Sequence, residues 1–389
     1  MATGLVNQWM QRALALAARG EGYVEPNPLV GCVLVGGTAG IGANDEALLG
    51  EGYHARFGQA HAERAALEDA RQRGHAARLV GATAYVTLEP CCHHGKTPPC
   101  TAALIEAGIA RVVTAQLDPF PQVAGQGVAA LRAAGVSVEV GVEQSAAKQL
   151  LAPYLKRLSH GRPWMIAKWA MSLDGKLATH AGQSQWISCE TSRARVQELR
   201  GRVDAIVVGS RTALVDNPRL TARTLHSPPR TALRVVLDSH LRLPLDSQLV
   251  RTAREIPVLL VAGPDAPSDK AEQLRELGCQ VHLSPHVDRQ VRLDSLLEHL
   301  ACHYEATNVL VEGGGELLGS LLELRQIDQC DVFIAPKLIG GHSAPSPIGG
   351  LGLAALNDGP AAVSWQVEPS GQDSHIRMRL NWEKTNTCR

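Results

Sequence analysis

Aromatic side chains make up 4 per cent of the 389 residues, and 38 basic residues face 38 acidic ones, for a formal net charge of zero. With so few rings for bases to stack on, and no basic stripe interleaved with them, a single-strand nucleic-acid platform is not expected. The same neutrality leaves no field to draw the chain onto nucleic acid or an anionic membrane surface. No apolar run reaches the roughly 18 residues of a membrane span. The segment Met1 to Gly20 lacks the basic region, apolar core and cleavage site of an export signal. Its Trp9, Met10, Ala13, Leu14, Leu16 and Ala17 recur at helical spacing and predict an amphipathic helix packed on the domain. The nine cysteines, among them Cys32, Cys189, Cys279 and Cys388, are odd in number and follow no framework spacing, which points to a reducing compartment. A soluble, cytoplasmic protein acting on a small molecule is the expectation.

The length exceeds what one core usually organises, so two domains are expected. Between Leu29 and Val140, β-rich runs alternate with Ala-rich helical ones, including helices at Ala62 to Arg73, Thr101 to Ala107 and Gly125 to Ala134. Such alternation predicts an α/β layer domain. The segment Ser145 to Pro163 reads as helical at first, then turns basic and breaks at His160-Gly161-Arg162-Pro163. This places a first domain at 1–150, a linker at 151–162 and a second domain at 163–389. The alternation restarts at Trp164 to Met171 and runs on to Asp331 to Ile334. Ala362 to Val367 and His375 to Leu380 then follow without room for a helix between them, which predicts antiparallel edges.

The sharpest feature is His61-Ala62-Glu63 at a helix start, followed by Pro90-Cys91 at a strand end and by Cys100. One imidazole and two thiolates give zinc three protein ligands and leave a fourth position for water, as in catalytic sites. Zinc lowers that water's pKa, and Glu63, two residues from a ligand, can shuttle its proton to a departing nitrogen without binding the metal. Cys92, His93 and His94 are rival ligands by spacing. A lone His-x-Glu or a buried cysteine is commonplace, but together and in this order they point to zinc.

In the usual zinc deaminase signature the second half reads Pro-Cys-x-x-Cys. Here eight residues separate the cysteines, as Cys91-Cys92-His93-His94-Gly95-Lys96-Thr97-Pro98-Pro99-Cys100. With Thr87-Leu88-Glu89-Pro90 before it and Pro26-Asn27-Pro28-Leu29-Val30-Gly31-Cys32 upstream, this insert resembles the bifunctional riboflavin-biosynthesis deaminase/reductase family. The resemblance covers most of the chain. It leaves Cys92, His93 and His94 out of the ligand set and puts Asn27 at the pyrimidine, while Asn27 is equally a turn residue between two prolines. It implies a cytidine-deaminase-like three-layer domain followed by a dihydrofolate-reductase-like α/β domain. Gly36 to Leu49 and Ser227-Pro228-Pro229 match the family poorly.

In the second half, Lys168-Trp169-Ala170-Met171-Ser172-Leu173-Asp174-Gly175-Lys176 and Ser184-Gln185-Trp186-Ile187 resemble the family's reductase. Val309-Leu310-Val311-Glu312-Gly313-Gly314-Gly315-Glu316 runs a strand into a helix through three glycines, a place for a phosphate or simply a turn. The resemblance implies NADPH contacts at Ala170, Trp186, Thr212, Asp216, Ser239, Gly314, Gly315, Glu316, Leu317, Leu318, Gly319 and Ser320. It implies substrate contacts at Ser184, Arg200, Leu220, Arg223 and Glu312. Arg200 and Arg223 suit phosphate because a guanidinium forks onto its oxygens, though each is equally a surface charge. Asp174, Lys168 and Glu312 are unranked candidates for supplying a proton during reduction.

The implied reactions are removal of the 2-amino group from 2,5-diamino-6-(5-phosphoribosylamino)pyrimidin-4-one, then NADPH reduction of the ribosyl chain to 5-amino-6-(5-phosphoribitylamino)uracil. The preference for NADPH over NADH and the homodimer expected through the reductase half both come from the resemblance. Two rivals are a nucleobase-editing deaminase fused to another domain, and a zinc-stabilised binding module. A structural zinc would want four closed ligands rather than three beside a poised glutamate.

Overall fold

The computed structural model describes residues 2–36, 47–93, 98–223 and 230–382, without the side chains of 2–6. It divides into two compact units, Met1–His160 and Gly161–Arg389.

The first unit is built on a five-stranded sheet ordered β2-β1-β3-β4-β5, with β1 at Gly31–Val35, β2 at Leu48–Tyr53, β3 at Thr83–Val86, β4 at Arg111–Thr114 and β5 at Ser137–Val140. β1 is antiparallel to β2 and β3, while β3, β4 and β5 are parallel. Side chains alternate along β1, so the two faces receive different helices. Val33 and Val35 pack with Trp9, Met10 and Ala13 of α1 (Ala2–Ala18), the helix expected from its apolar spacing. Cys32 and Leu34 pack with Ala62, Ala66, Leu67 and Ala70 of α2 (Ala62–Gln72) and with Leu104 of α3 (Cys100–Glu106). On the same face lies Leu131 of α4 (Gln126–Ala133). The result is the expected three-layer sandwich.

β2 was not expected, because Gly50 and Gly52 weaken a strand pattern. Their reason is close approach: a Cβ on Gly50 would stand 2.5 Å from the Ala66 carbonyl oxygen, and one on Gly52 2.4 Å from the Ala66 nitrogen. Bare backbone there lets α2 settle onto the sheet.

The segment 145–163, read as helical up to its break at His160-Gly161, is helical, and the expected linker 151–162 includes the second of its two helices. After α5 (Gln144–Leu150), α6 spans Ala152–His160 within the first unit. Its buried Tyr154 donates to Asp118 Oδ1 at 3.0 Å, so the segment is tied into that unit's core.

The second unit is a nine-stranded sheet ordered β10-β9-β8-β7-β11-β6-β12-β14-β13. β6 spans Trp164–Ser172, β7 Ala205–Gly209, β8 Leu233–Leu237, β9 Val258–Ala262, β10 Gln280–Leu283, β11 Asn308–Glu312 and β12 Gln329–Ala335. β13 (Ala361–Ser370) and β14 (Asp373–Asn381) form an antiparallel hairpin beside β12, and the other pairings are parallel. The antiparallel edge is therefore confined to one side. Among the described residues of this unit the α-helices are α7 (Glu190–Arg200), α8 (Ser210–Asp216), α9 (Gln248–Arg251), α10 (Ser268–Glu276), α11 (Arg289–His303) and α12 (Gly315–Glu323). The core joins Val207, Val235, Leu259 and Val311 to Leu296 and Leu300 of α11 and to Leu318 and Leu321 of α12. β11 lies between β6 and β7, where the winding of the sheet reverses. Parallel sheets place ligands at strand C-termini beside such a reversal.

Candidate active sites

In the first unit, His61 is the N-cap of α2, Cys91 follows β3, and Cys100 opens α3 after Pro99. His61 Nδ1 lies 3.6 Å from Cys91 Sγ and 3.4 Å from Cys100 Sγ. Bonds of ~2.3 Å to sulfur and ~2.0 Å to nitrogen at a tetrahedral angle would space these atoms by about 3.5 Å. The donor set therefore fits zinc as it stands. Among the described residues, His61, Cys91 and Cys100 are the group whose ligand atoms already converge, all within 4.8 Å of one another. Cys92 and His93, the rival ligands, fall outside it: Cys92 Sγ lies 3.8 Å from the Gln122 carbonyl and the His93 ring faces Phe120. His94 lies outside the described residues.

The two thiols differ in acidity, and Cys91 is the one ready to lose its proton. Hydrogen bonds from Cys100 and, against burial, from His61 hold Cys91 down at about 4, while donation to Cys91 and burial push Cys100 up. The backbone N–H of Cys100 also donates to Cys91 Sγ at 3.4 Å. Glu63 is 3 per cent exposed; burial, and then the Cys91 thiolate, push its carboxyl up to about 7. A carboxyl at that level can both take and return a proton near neutral pH.

Two groups escaped the sequence reading. His54, at the end of β2, donates from Nδ1 to the Ala60 carbonyl at 3.1 Å and accepts from Asn27 Nδ2 at 3.1 Å. Its ring stands edge-on to His61, 5.4 Å between centroids, and burial lowers its pKa, which keeps it neutral. Asn27 is thereby tied to a ring that itself stands against His61. Glu89, 4 per cent exposed, accepts from the backbone N–H of Asp118 at 3.2 Å, Gly125 at 2.9 Å and Val128 at 2.9 Å. It ties the 118–128 segment to the residues just before Cys91. Glu89 stood in the sequence only as part of Thr87-Leu88-Glu89-Pro90, and the partners that define both groups lie 6 to 39 residues away, beyond local pattern.

In the second unit, Lys168 on β6 pairs in register with Glu312 at the end of β11. Arg200, the last residue of α7, grips Glu312 with Nε to Oε1 at 2.6 Å and Nη2 to Oε2 at 2.8 Å, while Lys168 Nζ lies 4.0 Å away. Burial would raise Glu312, but Arg200, Lys168 and Arg223 outweigh it and leave the carboxyl at about 2. Burial lowers Lys168. Arg200, read as suited to phosphate or equally as a surface charge, has both sides of its fork on Glu312. Arg223 is exposed, with its backbone N–H donating to Gln197 Oε1 at 2.8 Å.

Asp174 accepts from Ser172 Oγ at 2.7 Å and from the backbone N–H of Ile339 at 3.0 Å and Gly340 at 2.7 Å, which hold it at about 2. Trp186 is 64 per cent exposed, its ring under the Arg193 guanidinium and its carbonyl taking a 2.7 Å hydrogen bond from Lys337. Ala170 and Ser184 are half-buried, as is Thr212, while Asp216 is exposed at the end of α8 and Leu220 is buried. Ser239 Oγ accepts from Arg292 at 2.9 Å. Around the glycine turn, Gly314 caps α12, Glu316 is exposed and Ser320 Oγ donates to its carbonyl at 2.9 Å. Leu317 and Leu318 are core residues. A Cβ on Gly315 would stand 2.8 Å from the Ser346 carbonyl, and one on Gly319 2.4 Å from that of Gly349. These two glycines thus admit the 346–349 segment rather than a flexible turn.

Comparison with known proteins follows the same division. The family described as Cytidine and deoxycytidylate deaminase zinc-binding region matches residues 5–116, and that described as RibD C-terminal domain matches 163–374. The chain is 42 per cent identical over 365 residues to the riboflavin biosynthesis protein RibD of Actinobacillus pleuropneumoniae, covering 94 per cent of this chain and 93 per cent of that protein. The chain belongs to the RibD family. The RibD of Escherichia coli K12 is 39 per cent identical over 385 residues, covering 95 and 98 per cent of the two chains. Among solved structures, RibD of Acinetobacter baumannii superposes with a TM-score of 0.81 at 34 per cent identity, covering 97 and 99 per cent. A Thermotoga maritima diaminohydroxyphosphoribosylaminopyrimidine deaminase/5-amino-6-(5-phosphoribosylamino)uracil reductase gives 0.80 at 33 per cent, covering 98 and 100 per cent. A RibD family chain is a bifunctional riboflavin-biosynthesis enzyme, a zinc deaminase and a reductase in one polypeptide, with zinc and NADPH as cofactors. No helix among the described residues is long and apolar enough to cross a membrane.

Proposed function

We propose that the first unit deaminates 2,5-diamino-6-(5-phosphoribosylamino)pyrimidin-4-one and that the second reduces the product to 5-amino-6-(5-phosphoribitylamino)uracil, in the cytoplasm and without nucleic acid. The observation that carries the reading is the convergence of His61, Cys91 and Cys100 beside a buried Glu63.

Those three residues would hold zinc, which when bound would supply a water made acidic enough to attack near neutral pH. Glu63 takes the proton from the attacking water and delivers it to the 2-amino nitrogen, which leaves as ammonia while oxygen replaces it on the ring. Asn27, oriented by His54, faces the pyrimidine and fixes which carbon meets the water.

NADPH, when bound, supplies the hydride that reduces the sugar's first carbon. Its contacts are Ala170, Trp186, Thr212, Asp216, Ser239 and residues 314–320, the buried members of that stretch acting through backbone. Ser184, Leu220, Arg223 and Glu312 border the sugar phosphate, with Arg200 acting through Glu312. Of the three candidate proton donors, Asp174 and Glu312 are ionised at about 2 and hold no proton at neutral pH. Lys168 is a cation whose pKa burial has lowered, and it supplies the proton to the ring-attached nitrogen.

A second copy covers the β13 face. Val363, Trp365 and Val367 recur at period two, each more than half exposed, on the edge strand. Such an apolar edge invites pairing, and a homodimer is the ordinary solution. Sedimentation of a monomer at micromolar concentration removes the dimer.

The test of the two-site reading is Cys91→Ser beside Lys168→Met. The first loses zinc and ammonia release while still oxidising NADPH with deaminated substrate, and the second does the reverse. Loss of both activities in either variant contradicts the division.

A further inference from the structure

The second unit carries a row of three imidazoles that belongs to neither site. His282 lies on the edge strand β10, and His299 and His303 are four residues apart on α11, hence on one face of that helix. The His282 and His299 ring centroids are 4.8 Å apart at 24°, and those of His299 and His303 4.9 Å apart at 8°. Tyr304 stands edge-on to both helix rings and its hydroxyl donates to Gln280 Oε1 on β10, latching the end of α11 to the strand.

None of the three rings has a hydrogen-bond partner among the described residues, in contrast to His54 and His75, whose Nδ1 atoms meet the Ala60 and Leu49 carbonyls. His303 is exposed and the other two are half-buried, so their nitrogens stay open to solutes. Burial and the flanking imidazoles push His299 below its ordinary value, which leaves its lone pair free at neutral pH.

We propose that His282, His299 and His303 form a second metal site, for a late first-row divalent ion such as nickel, copper or zinc. Imidazole nitrogen suits these ions, whereas magnesium and calcium want oxygen. A helical pair four apart chelates from one face, and the strand imidazole closes the third side. The nitrogens do not converge as the ligands of His61, Cys91 and Cys100 do. The ion gathers them by turning stacked rings about their side-chain bonds. Once bound it cross-links the unpaired edge of the sheet to α11, and so stabilises the fold by mass action.

Full-length, untagged, zinc-loaded protein equilibrated with micromolar nickel tests this. We expect about one nickel per chain taken up with the original zinc retained, and a rise in melting temperature. His303→Ala, an exposed change, and His282→Ala each weaken uptake, and the pair abolishes it with ammonia release unchanged. Uptake equal to wild type in the double variant, or no uptake by wild type, overturns the proposal. Cobalt added to zinc-loaded wild type gives an answer that does not depend on any variant. Visible bands without a near-ultraviolet thiolate band support an imidazole site, and a thiolate band places the ion at the cysteines and contradicts it.

Discussion

Arg200 binds Glu312 through both sides of its guanidinium, 2.6 Å from Nε to Oε1 and 2.8 Å from Nη2 to Oε2, joining the last residue of α7 to the last of β11. Both side chains are little exposed, at 13 and 11 per cent. Removing one partner strands the other's charge, which costs about 3–5 kcal/mol in buried pairs. Arg200→Ala should lose stability of that order in urea denaturation, and an Arg200→Met, Glu312→Leu double variant should recover part of it. A loss under about 1 kcal/mol would mean that the pair behaves as a surface one.

The same pair sets an acid limb. The Glu312 carboxyl is depressed to about 2 from an ordinary value of 4.5. A depressed carboxylate contributes stability that is complete above its unfolded pKa and is lost as pH falls through the folded one. Unfolding midpoints of the wild type should therefore drop between about pH 4.5 and 2. In Glu312→Gln that part of the drop should be gone. An unchanged limb would show that Glu312 is not held ionised.

Glu63 touches the metal group without belonging to it. Glu63→Gln should keep its zinc by elemental analysis and lose ammonia release by a factor of roughly 10²–10⁴, the usual weight of a proton-transfer group. NADPH oxidation with deaminated substrate should be unaffected. Deamination near the wild-type rate would remove Glu63 from the mechanism.

Glu89 positions rather than reacts. Its two oxygens accept three backbone N–H groups, so Glu89→Gln turns an amide donor towards at least one of them, a cost of about 1–3 kcal/mol. Zinc should then leave to a chelator faster than from wild type, with reduction unchanged. Equal release rates would confine Glu89 to a local structural role.

How much of this was legible follows from range. His61-Ala62-Glu63 and Pro90-Cys91 could be read because helix starts and strand ends are local, and metal chemistry restricts residue type and order. α1 was legible through its apolar spacing. β2 was not, since its glycines answer to α2, which follows them in sequence. The break at His160-Gly161 was legible from composition, but the tie that holds α6 to its unit was not, because Tyr154 and Asp118 are 36 residues apart. The fork of Arg200 could be assigned a chemistry but not a partner, because Glu312 lies 112 residues away. The loop expected to vary between Gly36 and Leu49 falls largely, and Ser227-Pro228-Pro229 wholly, outside the described residues.

The most direct test of two sites acting in sequence is a single time course on the purified chain given the diaminopyrimidinone phosphoribosyl substrate, with ammonia and NADPH followed together. The account predicts ammonia first and NADPH oxidation after it, with both absent in Glu63→Gln until deaminated substrate is added. NADPH oxidation that precedes ammonia, or that proceeds at the wild-type rate in Glu63→Gln on the diamino substrate, would contradict it.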